Sequence, residues 1–427
     1  MPDQTIQNHV LIVGGGPAGL GAALAFHNNN YRNITVLEGR SDFNFDLENS
    51  YPIGLNLRGK NAISNLIGKN LSLDSFGLQV DQWKVIVGPG INVASFDSGL
   101  THGTSRAAVT LLLYDEVKKR KEIKVLFGHK AKSVEMSEKT LTCETDTGEL
   151  ATFTSDCLII CDGFRSKVRD QLAQQDKSLK IVQWPWNISF RVLISDPNPK
   201  TDLDEKIHYI INSNYVSKFK DGRWSCVMGI RNDSPSFLSS TDPSDENVEL
   251  LKKYLQKRTP QALNLFSDDE YRKYFSRTIF QGAVTKVSKL LVDNWALLLG
   301  DAAHSTIPAT GEGINSALED CLILNNTLKY HQNLEKALID YEKNRLEDVH
   351  ALSDIAYGAA RSGPKEVFQN IILAPLKKIS LVGPSKEDFM FGRNSSGLKR
   401  YSEILKGWKQ QTMLIGGPTV PKIKFQN

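Results

Sequence analysis

A glycine-rich turn between two short apolar segments constrains the fold of this chain more than any other feature. The turn Gly14-Gly15-Gly16-Pro17-Ala18-Gly19 follows the apolar segment His9–Val13 and opens a segment of small residues that runs to Phe26. A second apolar segment, Ile34–Leu37, ends at Glu38. A strand, a Gly-x-Gly-x-x-Gly turn, a helix and a strand that ends in an acid predict a βαβ unit that binds a dinucleotide.

The residues of this unit have distinct expected roles. Gly14, Gly16 and Gly19 allow a tight turn, close approach of a pyrophosphate to the backbone, and close packing of the helix on the strand. The carboxylate of Glu38, about 20 residues further on, is expected to accept hydrogen bonds from ribose hydroxyls. Arg40 either reaches the ribose or a phosphate, or lies on the surface. The alternative for the whole unit is a purely structural turn.

A second motif follows the continuous apolar segment Cys157–Cys161, which is predicted to be a buried parallel strand. Asp162-Gly163 comes directly after it and is followed by Ser166 and Arg169. Asp-Gly at a strand end is often only a turn. Because Ser-x-x-Arg follows it and it lies far downstream of a nucleotide-binding βαβ unit, the motif is more specific than Asp-Gly alone.

A third motif is the segment Gly300–Asn315. We expect Asp301 to close a strand where it could meet hydroxyl groups of a ligand, although a helix cap or a turn residue is the alternative. The Pro/Gly-rich turn that follows lets backbone approach a planar ring, and a helix N-terminus then offers N–H donors to an anion. His304 is predicted to be structural, and Glu312 is predicted to be a loop carboxylate and not an acid–base group.

Composition narrows the class of protein. The 52 Lys and Arg against 48 Asp and Glu leave a net charge of +4 over 427 residues, with no array of arginines and aromatics, so nucleic-acid binding is not expected. The five cysteines form no CxxC pair, so no metal site is expected and a reducing compartment fits best. No apolar run approaches the ~20 residues of a spanning helix, and no signal peptide is apparent. We expect a soluble, cytoplasmic protein; peripheral membrane contact and oligomeric state stay open.

The order of the segments predicts an α/β fold with an insertion. Residues 1–180 and 290–330 are predicted to form one discontinuous, Rossmann-like nucleotide-binding domain. Residues 181–289 are predicted to form a β-rich domain with an antiparallel sheet, which would cap the cofactor and hold a substrate. Residues 331–427 are predicted to be a C-terminal helical region with a loosely held tail. The strands predicted in the insertion are Val182–Ser195, Ile207–Ser213, Trp224–Arg231 and Thr278–Val287. A small sheet in the first domain is predicted from Ile123–Phe127, Lys132–Met136, Thr140–Glu144 and Ala151–Thr154.

Taken together, the three motifs resemble the signature set of the single-component FAD-dependent aromatic hydroxylases, the group A flavin monooxygenases. Three further segments are similar to the kynurenine 3-monooxygenases within that group: Ser50–Gly59, Ser105-Arg106 at a helix start, and Glu347–Asp354. The resemblance implies that the nucleotide-binding domain is an FAD-binding domain of the p-hydroxybenzoate hydroxylase and glutathione reductase-2 type.

The resemblance also implies which residues contact FAD. Pro308 and Gly311 are expected at the flavin face. Arg106 has the fork-shaped cation that suits a pyrophosphate, although it could be a surface residue. Asn315 either bonds the flavin edge or caps its helix. The implied cofactor-binding residues are Gly14, Gly16, Ala18, Gly19, Glu38, Arg40, Gly54, Arg106, Ala131, Asp162, Asp301, Gly313, Ile314 and Asn315.

The activity that the resemblance implies is hydroxylation, or epoxidation, of an aromatic or electron-rich small molecule. NADPH or NADH would be the cosubstrate, and O2 would react through a flavin C4a-hydroperoxide. The cofactor carries this chemistry, so no catalytic side-chain constellation is expected. The alternatives are a flavin-dependent halogenase, oxidase or reductase, and a non-catalytic scaffold with an FAD fold.

Two departures from the family pattern argue against kynurenine as the substrate. Kynurenine hydroxylases hold the substrate carboxylate with an arginine in the stretch before the flavin arginine, and Lys84–Thr104 contains none. Gly358-Ala359-Ala360 stands where the family has Tyr-Asn-Tyr. Because a buried carboxylate without its partner costs several kcal/mol, kynurenine is not expected to bind well.

Overall fold

The fold is taken from a computed structural model that describes residues 6–43, 50–68, 76–88, 90–331, 333–361, 399–414 and 421–425. Its strands are β1 (Ile6–Val13), β2 (Tyr31–Leu37), β3 (Pro52–Leu55), β4 (Leu78–Gln79), β5 (Gln82–Val87), β6 (Ile91–Asp97), β7 (His102–Ser105), β8 (Ile123–Leu126), β9 (Lys130–Glu135), β10 (Thr140–Glu144), β11 (Leu150–Thr154), β12 (Cys157–Ile160), β13 (Ile181–Pro185), β14 (Ile188–Ile194), β15 (Ile207–Ile211), β16 (Asn214–Lys218), β17 (Trp224–Arg231), β18 (Ala283–Val287), β19 (Leu291–Val292) and β20 (Ala296–Leu298). Its α-helices are α1 (Pro17–Asn28), α2 (Leu57–Ile67), α3 (Arg106–Lys118), α4 (Lys167–Gln175), α5 (Asp245–Arg258), α6 (Asp268–Lys273), α7 (Asp301–His304), α8 (Gly313–Tyr330), α9 (Leu334–Ala360) and α10 (Tyr401–Leu414).

The central sheet has the strand order β19-β20-β12-β1-β2-β8, and all of its pairs are parallel except β19 with β20. Strands β12 and β20 and the second half of β1, Val10–Val13, are apolar and buried, as expected for a parallel sheet covered on both faces. The prediction that Cys157–Cys161 is a buried parallel strand is confirmed. Since the carboxyl ends of parallel strands meet at one edge, the three sequence motifs come together there.

Helix α1 covers the middle of this sheet. Its small residues are buried over ten consecutive positions, Pro17–Phe26, and it packs against α3 and α8. A Cβ atom built on Gly21 would lie 2.8 Å from Sγ of Cys321 in α8, so a glycine is needed for the two helices to approach this closely. The residues around this sheet form the largest apolar core of the described chain.

The small sheet of the first domain has three strands, in the order β11-β10-β9. The fourth strand predicted for it, Ile123–Phe127, was placed wrongly. It forms β8 and pairs in parallel with β2 at the edge of the central sheet. Its residue pattern alone did not distinguish an edge strand of a parallel sheet from a strand of a small antiparallel sheet.

A second six-stranded sheet faces the nucleotide-binding edge, with the order β14-β17-β16-β15-β5-β6; we call it the cap sheet. All of its pairs are antiparallel except β15 with β5, which is parallel, so the predicted antiparallel sheet is in fact mixed. Strands β5 and β6 precede residue 180, so the cap sheet draws on chain from both sides of the insertion boundary. One face of it packs against α5 and α6 in a second apolar core.

The predicted strand Val182–Ser195 is two strands in different sheets. Strand β13 pairs with β18 in a two-stranded sheet, whereas β14 joins the cap sheet. Pro185, the last residue of β13, has no N–H to donate to a ladder, which is consistent with the break between the two strands.

Helices α9 and α10 complete the described C-terminal region. Gly358 lies against Trp408 of α10, where a built Cβ would come within 2.4 Å of the indole ring. Most of the predicted loose tail lies outside the described residues. No helix among the residues that the structure describes is long and apolar enough to cross a membrane.

Candidate active site

The glycine motif has the tight geometry that the sequence predicts. Gly14 has a φ of 100°, and a Cβ built on it would lie 2.5 Å from the carbonyl oxygen of Cys161. A Cβ on Gly19 would lie 1.9 Å from the carbonyl oxygen of Gly14, so only glycine fits at either position. Gly16 stands at the start of α1 with no side-chain cap, which leaves N–H groups of the first turn available to an anion.

Glu38 follows β2 at the same edge, and its carboxylate is fully hydrogen-bonded within the protein. It accepts from the backbone N–H of Gly15 at 2.9 Å, and from the backbone N–H, Nε and Nη2 of Arg40 at 2.9, 3.0 and 3.1 Å. Burial raises the pKa of Glu38, but these hydrogen bonds and the Arg40 charge outweigh burial and the net pKa is lowered. A ribose hydroxyl therefore reaches this carboxylate only if the Arg40 side chain moves.

Arg106 on α3 and Asp301 on α7 line the same cavity. Arg106 is the first residue of α3, which Ser105 caps by accepting from the N–H of Ala108 at 3.0 Å. Its Nη2 lies 3.8 Å from a Cβ built on Gly16, next to the glycine turn. Among the described residues its guanidinium has no hydrogen-bond or ion-pair partner.

Asp301 does not close a strand, so that prediction was wrong. Strand β20 ends at Leu298, Gly300 adopts a φ of 58°, and Asp301 is the first residue of the short helix α7. Burial raises the pKa of Asp301, and the positive charge of Arg106 opposes that shift. Within the described part of the chain its carboxylate accepts no hydrogen bond, which leaves it available to a ligand hydroxyl.

The second motif is tied to the third through Arg169. Its guanidinium is buried and donates to the carbonyl oxygens of Ala302, at 3.0 Å, and Phe164, at 3.2 Å. Ser166 caps α4 by accepting from the N–H of Arg169 at 3.0 Å. The Oδ1 atom of Asp162 is buried, and no described residue donates a hydrogen bond to it. Such an orphaned acceptor at the nucleotide-binding edge is suited to a ligand donor.

The turn before α8 forms one wall of the cavity. Pro308–Thr310 is a single 3₁₀ turn, and Gly311 follows with a φ of 66° in the left-handed region. The Asn315 amide donates to the carbonyl oxygens of Gly54 and Gly311, both at 2.9 Å, and accepts from the N–H of Asn56 at 3.1 Å. The Asn315 side chain thus holds β3 against the turn.

Glu312 is buried behind this wall. It accepts hydrogen bonds from Nδ2 of Asn56 at 2.7 Å and from the hydroxyl of Tyr401 at 2.9 Å, and it lies 3.9 Å from Nε of Arg58. Burial raises the pKa of Glu312 to about 7, although Arg58, Tyr401 and Asn56 each lower it. This carboxylate links the cavity wall to α10.

His304 makes a buried pair with Asp320, Nε2 to Oδ2 at 2.6 Å. Asp320 also accepts from the N–H of Gly300 at 2.8 Å and from Nε of Arg345 at 2.8 Å. These contacts fix the segment that carries Asp301, and they support the structural role predicted for His304.

One cavity of about 930 Å³ joins the motif residues to the cap sheet. Nine of the predicted residues line it: Gly16, Ala18, Gly54, Arg106, Asp301, Pro308, Gly311, Gly313 and Ile314. Cys161 and Gly163, on either side of Asp162, line it too. The other predicted residues are not among the residues that line it; Ala131, for example, is on β9 and pairs with Cys143.

The cap sheet contributes residues to the cavity; the prediction that the inserted sheet holds a substrate covered Val182–Arg191 and Trp224–Gly229, whereas Trp83 and Tyr215 were missed. Trp83, Tyr215, Ile188 and Phe190 line the cavity together with alternate residues of β17, Val227, Gly229 and Arg231. Alternation along a strand places such residues on one face, so the period-2 pattern of β17 was a usable signal. Trp83 could not be found that way, because β5 joins the sheet only through a long-range parallel pairing with β15.

Aromatic contacts organise this face. Trp83 stacks on Tyr215 with ring centroids 5.6 Å apart and an interplanar angle of 19°. The Tyr215 hydroxyl is 2.8 Å from Nδ1 of His208, and burial lowers the pKa of His208 to about 3, so that ring is neutral. Tyr51 meets Phe190 and Phe280 edge to face at 5.6 and 5.1 Å.

The fold and site define a dinucleotide-binding protein whose cavity is lined on the side of the cap sheet by aromatic residues. A free guanidinium, a free carboxylate and an orphaned acceptor around a turn that only glycine can form fit the pyrophosphate and hydroxyl groups of FAD. The sequence model of the family described as "FAD binding domain" matches residues 90–356, and the chain belongs to that family. FAD is its cofactor, and the predicted family is confirmed.

Individual proteins of known name are similar over most of the chain. Kynurenine 3-monooxygenase of Sus scrofa is 24% identical over 95% of this chain and 88% of its own length. The solved structure of 2-methyl-3-hydroxypyridine-5-carboxylic acid oxygenase has a TM-score of 0.68 at 20% identity, covering 83% of this chain and 91% of its own. A probable FAD-dependent monooxygenase from Pseudomonas aeruginosa has a TM-score of 0.65 at 18% identity, covering 84% and 96%. All three names agree with the predicted enzyme class, an FAD-dependent monooxygenase.

Proposed function

We propose that the protein hydroxylates an aromatic or similarly electron-rich small molecule, with NADPH or NADH as the cosubstrate and O2 as the oxidant. The observation that carries this proposal is the continuity of the cavity. Residues that match the FAD motifs and the aromatic face of the cap sheet line one and the same space. A substrate ring held there would lie next to the cofactor, with protein on both sides.

The residues at the sheet edge would hold FAD by complementary charge and hydrogen bonding. Arg106 would bind the pyrophosphate together with the N–H groups at the start of α1. Asp301 would accept from hydroxyls of the ribityl chain, and Asp162 would accept a further hydrogen bond through its orphaned Oδ1. Glu38 would bind the adenosine ribose once Arg40 had moved aside.

The turn before α8 would form the flavin face. Pro308 and Gly311 offer an aliphatic ring and bare backbone to a planar group, which allows close stacking. Helix α8 begins at Gly313 without a side-chain cap, so its N-terminal N–H groups would favour negative charge beside them. Bound FAD supplies the electron transfer and the activation of O2.

The cap sheet would position the substrate and exclude water. Phe190, Tyr51 and Trp186 line the cavity. Gly282 lies between Trp186 and Pro308, since a Cβ built on it would be 3.7 Å from Cε3 of Trp186 and 3.0 Å from Cδ of Pro308. An apolar, covered chamber strengthens electrostatic interactions inside it and protects reactive species from hydrolysis. No acid–base side chain is required for this role.

The test is a turnover assay on the purified protein loaded with FAD. We expect NADPH or NADH to be oxidised faster when phenols, anilines or indoles are added, with a product that has gained one oxygen atom. Gain of a halogen would indicate a halogenase, and loss of hydrogen without oxygen would indicate an oxidase. Bound FAD that no nicotinamide cofactor reduces under any ligand would indicate a scaffold; each of these three results contradicts the proposal.

A further inference from the structure

Residues 421–425, which we call the strap, form a short segment without regular secondary structure. Its central residue, Ile423, is buried, whereas Lys422 and Lys424 on either side are exposed. An extended chain that alternates in this way presents one side chain to the protein and its neighbours to solvent. The strap therefore docks through one apolar side chain and through its main chain.

A buried ion pair holds the main chain of Ile423. Nζ of Lys286, on β18, lies 2.8 Å from Oδ1 of Asp354, on α9, and both side chains are buried. The N–H of Ile423 donates to this Oδ1 at 3.1 Å, and its carbonyl oxygen accepts from Nζ of Lys286 at 3.3 Å. A buried ion pair needs further hydrogen bonds to satisfy its donors and acceptors, and the strap supplies two of them.

The side chain of Ile423 belongs to an apolar cluster that three other parts of the fold share. Its other buried members are Val284 of β18, Ile307 of the turn before α8, and Ala356 of α9. Trp186, which lines the cavity, packs against the same cluster. Ile307 immediately precedes Pro308, which also lines the cavity. The strap thus packs into one cluster with residues at the cavity wall and next to it.

Strand β18 also connects the strap to this turn by hydrogen bonds. The N–H of Thr285 donates to the carbonyl oxygen of Ser305 at 3.0 Å, and the Ser305 hydroxyl donates to the carbonyl oxygen of Ala283 at 2.7 Å. The strand that the strap holds through Lys286 is therefore the strand that anchors the start of the turn. Loss of the strap would leave a gap in the cluster, and residues that line a gap lose their packing contacts.

We propose that Ile423 is a positioning residue: by docking between Lys286 and Asp354, the strap holds the turn at Ile307 and Pro308 in place at the flavin face and keeps water out of the chamber there. The inference rests on the proposed function, in which Pro308 lies against the flavin. When the strap is released, the chamber admits water and a smaller share of the oxidised NADPH or NADH yields product. The remainder reduces O2 to hydrogen peroxide, with two electrons and one proton from the nicotinamide hydride and the second proton from solvent.

Docking of the strap is measured first, by hydrogen–deuterium exchange of a peptide that contains residues 421–425. Ile423→Ser removes the apolar anchor, and exchange in this peptide should become at least about tenfold faster because the segment opens more often. Ile423→Val keeps an apolar side chain and should exchange nearly as slowly as the wild type. Lys424→Gln is the matched control, because Lys424 is the exposed neighbour of Ile423, and it should leave exchange unchanged. This measurement needs neither a nicotinamide cofactor nor a substrate.

The ion pair is tested by a double variant, Lys286→Met with Asp354→Leu. Replacing both partners of a buried ion pair by apolar residues of similar volume is often neutral or stabilising, so the fold should persist. The double variant lacks both side chains that bond to the main chain of Ile423. Exchange in the strap should therefore rise as it does in Ile423→Ser.

The consequence for the flavin is measured on the same proteins loaded with FAD. Visible circular dichroism of the bound flavin reports the surroundings of its ring without turnover, and it should change in Ile423→Ser and in the double variant. In turnover, the product formed per NADPH or NADH oxidised should fall at least about twofold, with a matching rise in hydrogen peroxide. Ile423→Val and Lys424→Gln should behave as the wild type does. A merely structural role of Ile423 would lower the amount of folded protein and not this ratio.

Three results would overturn the inference. The first is slow exchange of the strap in Ile423→Ser, which would show that this side chain does not anchor it. The second is a released strap together with the flavin spectrum and the product ratio of the wild type. The third is an equal change in Lys424→Gln. If the wild type adds oxygen to no phenol, aniline or indole, the proposed function fails, and the exchange and the flavin spectrum then decide whether the strap positions the flavin face.

Discussion

Replacing Arg106 with glutamine tests the FAD site at the residue whose role is best isolated by the structure. The guanidinium faces the cavity beside Gly16 and has no hydrogen-bond or ion-pair partner among the described residues, so its removal breaks none of these contacts. A charge-assisted hydrogen bond contributes about 1.5–3 kcal/mol, and losing one to a pyrophosphate weakens FAD binding by about 10- to 150-fold. The stability of the FAD-free protein should change by no more than about 0.5 kcal/mol.

The assay is a titration of FAD-free protein with FAD, followed by flavin fluorescence. Arg106→Lys keeps the charge but loses the planar fork, and should fall between the wild type and Arg106→Gln. Lys121→Gln removes a charge from an exposed lysine that does not line the cavity and is the control. If Arg106→Gln binds FAD as tightly as the wild type, or if Lys121→Gln weakens binding equally, the assignment of Arg106 to the pyrophosphate is refuted.

Three further changes test other parts of the site. Gly19→Ala would place a Cβ 1.9 Å from the Gly14 carbonyl oxygen, so we expect FAD binding to be lost and the Tm to fall; an alanine variant that binds FAD normally would contradict the turn geometry. Gly229→Leu should fill the chamber beside Phe190, abolishing substrate-stimulated NADPH oxidation while FAD affinity is retained, and unchanged turnover would place the substrate elsewhere. Because burial raises the pKa of Glu312 to about 7, the folded state holds a proton that the unfolded state has released, and stability should fall as pH rises from about 4.5 to 7. Glu312→Gln should remove this pH-dependent part of the free energy of unfolding, up to about 3 kcal/mol. Urea unfolding of the wild type and the variant at about pH 4.5 and about pH 7 measures it, and identical pH profiles of the two proteins would contradict the role of Glu312.

The nucleotide-binding half of the fold could be predicted because its signals are local. Gly14 has a φ of 100°, a Cβ on Gly19 would lie 1.9 Å from the Gly14 carbonyl oxygen, and the continuous apolar segment of β12 is typical of a parallel strand. The helix N-terminus predicted after the Pro/Gly-rich turn is the start of α8 at Gly313.

The cap sheet could be predicted only in part because its pairings are long-range. Strand β6 is largely exposed and belongs to the sheet only through β5, which itself pairs with a strand about 120 residues later. Strand β16 was missed because a two-residue turn, Asn212–Ser213, separates it from β15. Both residues have positive φ, 47° and 76°, as in the tight turns that match strand twist, but the turn lacks the Asn-Gly signal.

The sequence predicted residues that line the cavity beside the motifs, but it did not predict the side-chain contacts that hold the cavity wall in place. Arg106 and Asp301 follow from motifs, whereas the Glu38–Arg40 pairing depends on side-chain geometry that no motif encodes. The contact of Tyr401 with Glu312 joins residues 89 positions apart. Gly358-Ala359-Ala360 was interpreted as a loss of pocket groups, but Gly358 packs against Trp408 of α10.

The origin of the oxygen in the product tests the central claim most directly. The FAD-loaded protein is supplied with NADPH or NADH, a phenol that stimulates oxidation, and isotopically labelled O2, and the product is analysed by mass spectrometry. A cavity in which FAD and an aromatic substrate lie side by side predicts one labelled oxygen atom per product molecule. A product whose new oxygen comes from water, or that contains no new oxygen, would contradict it.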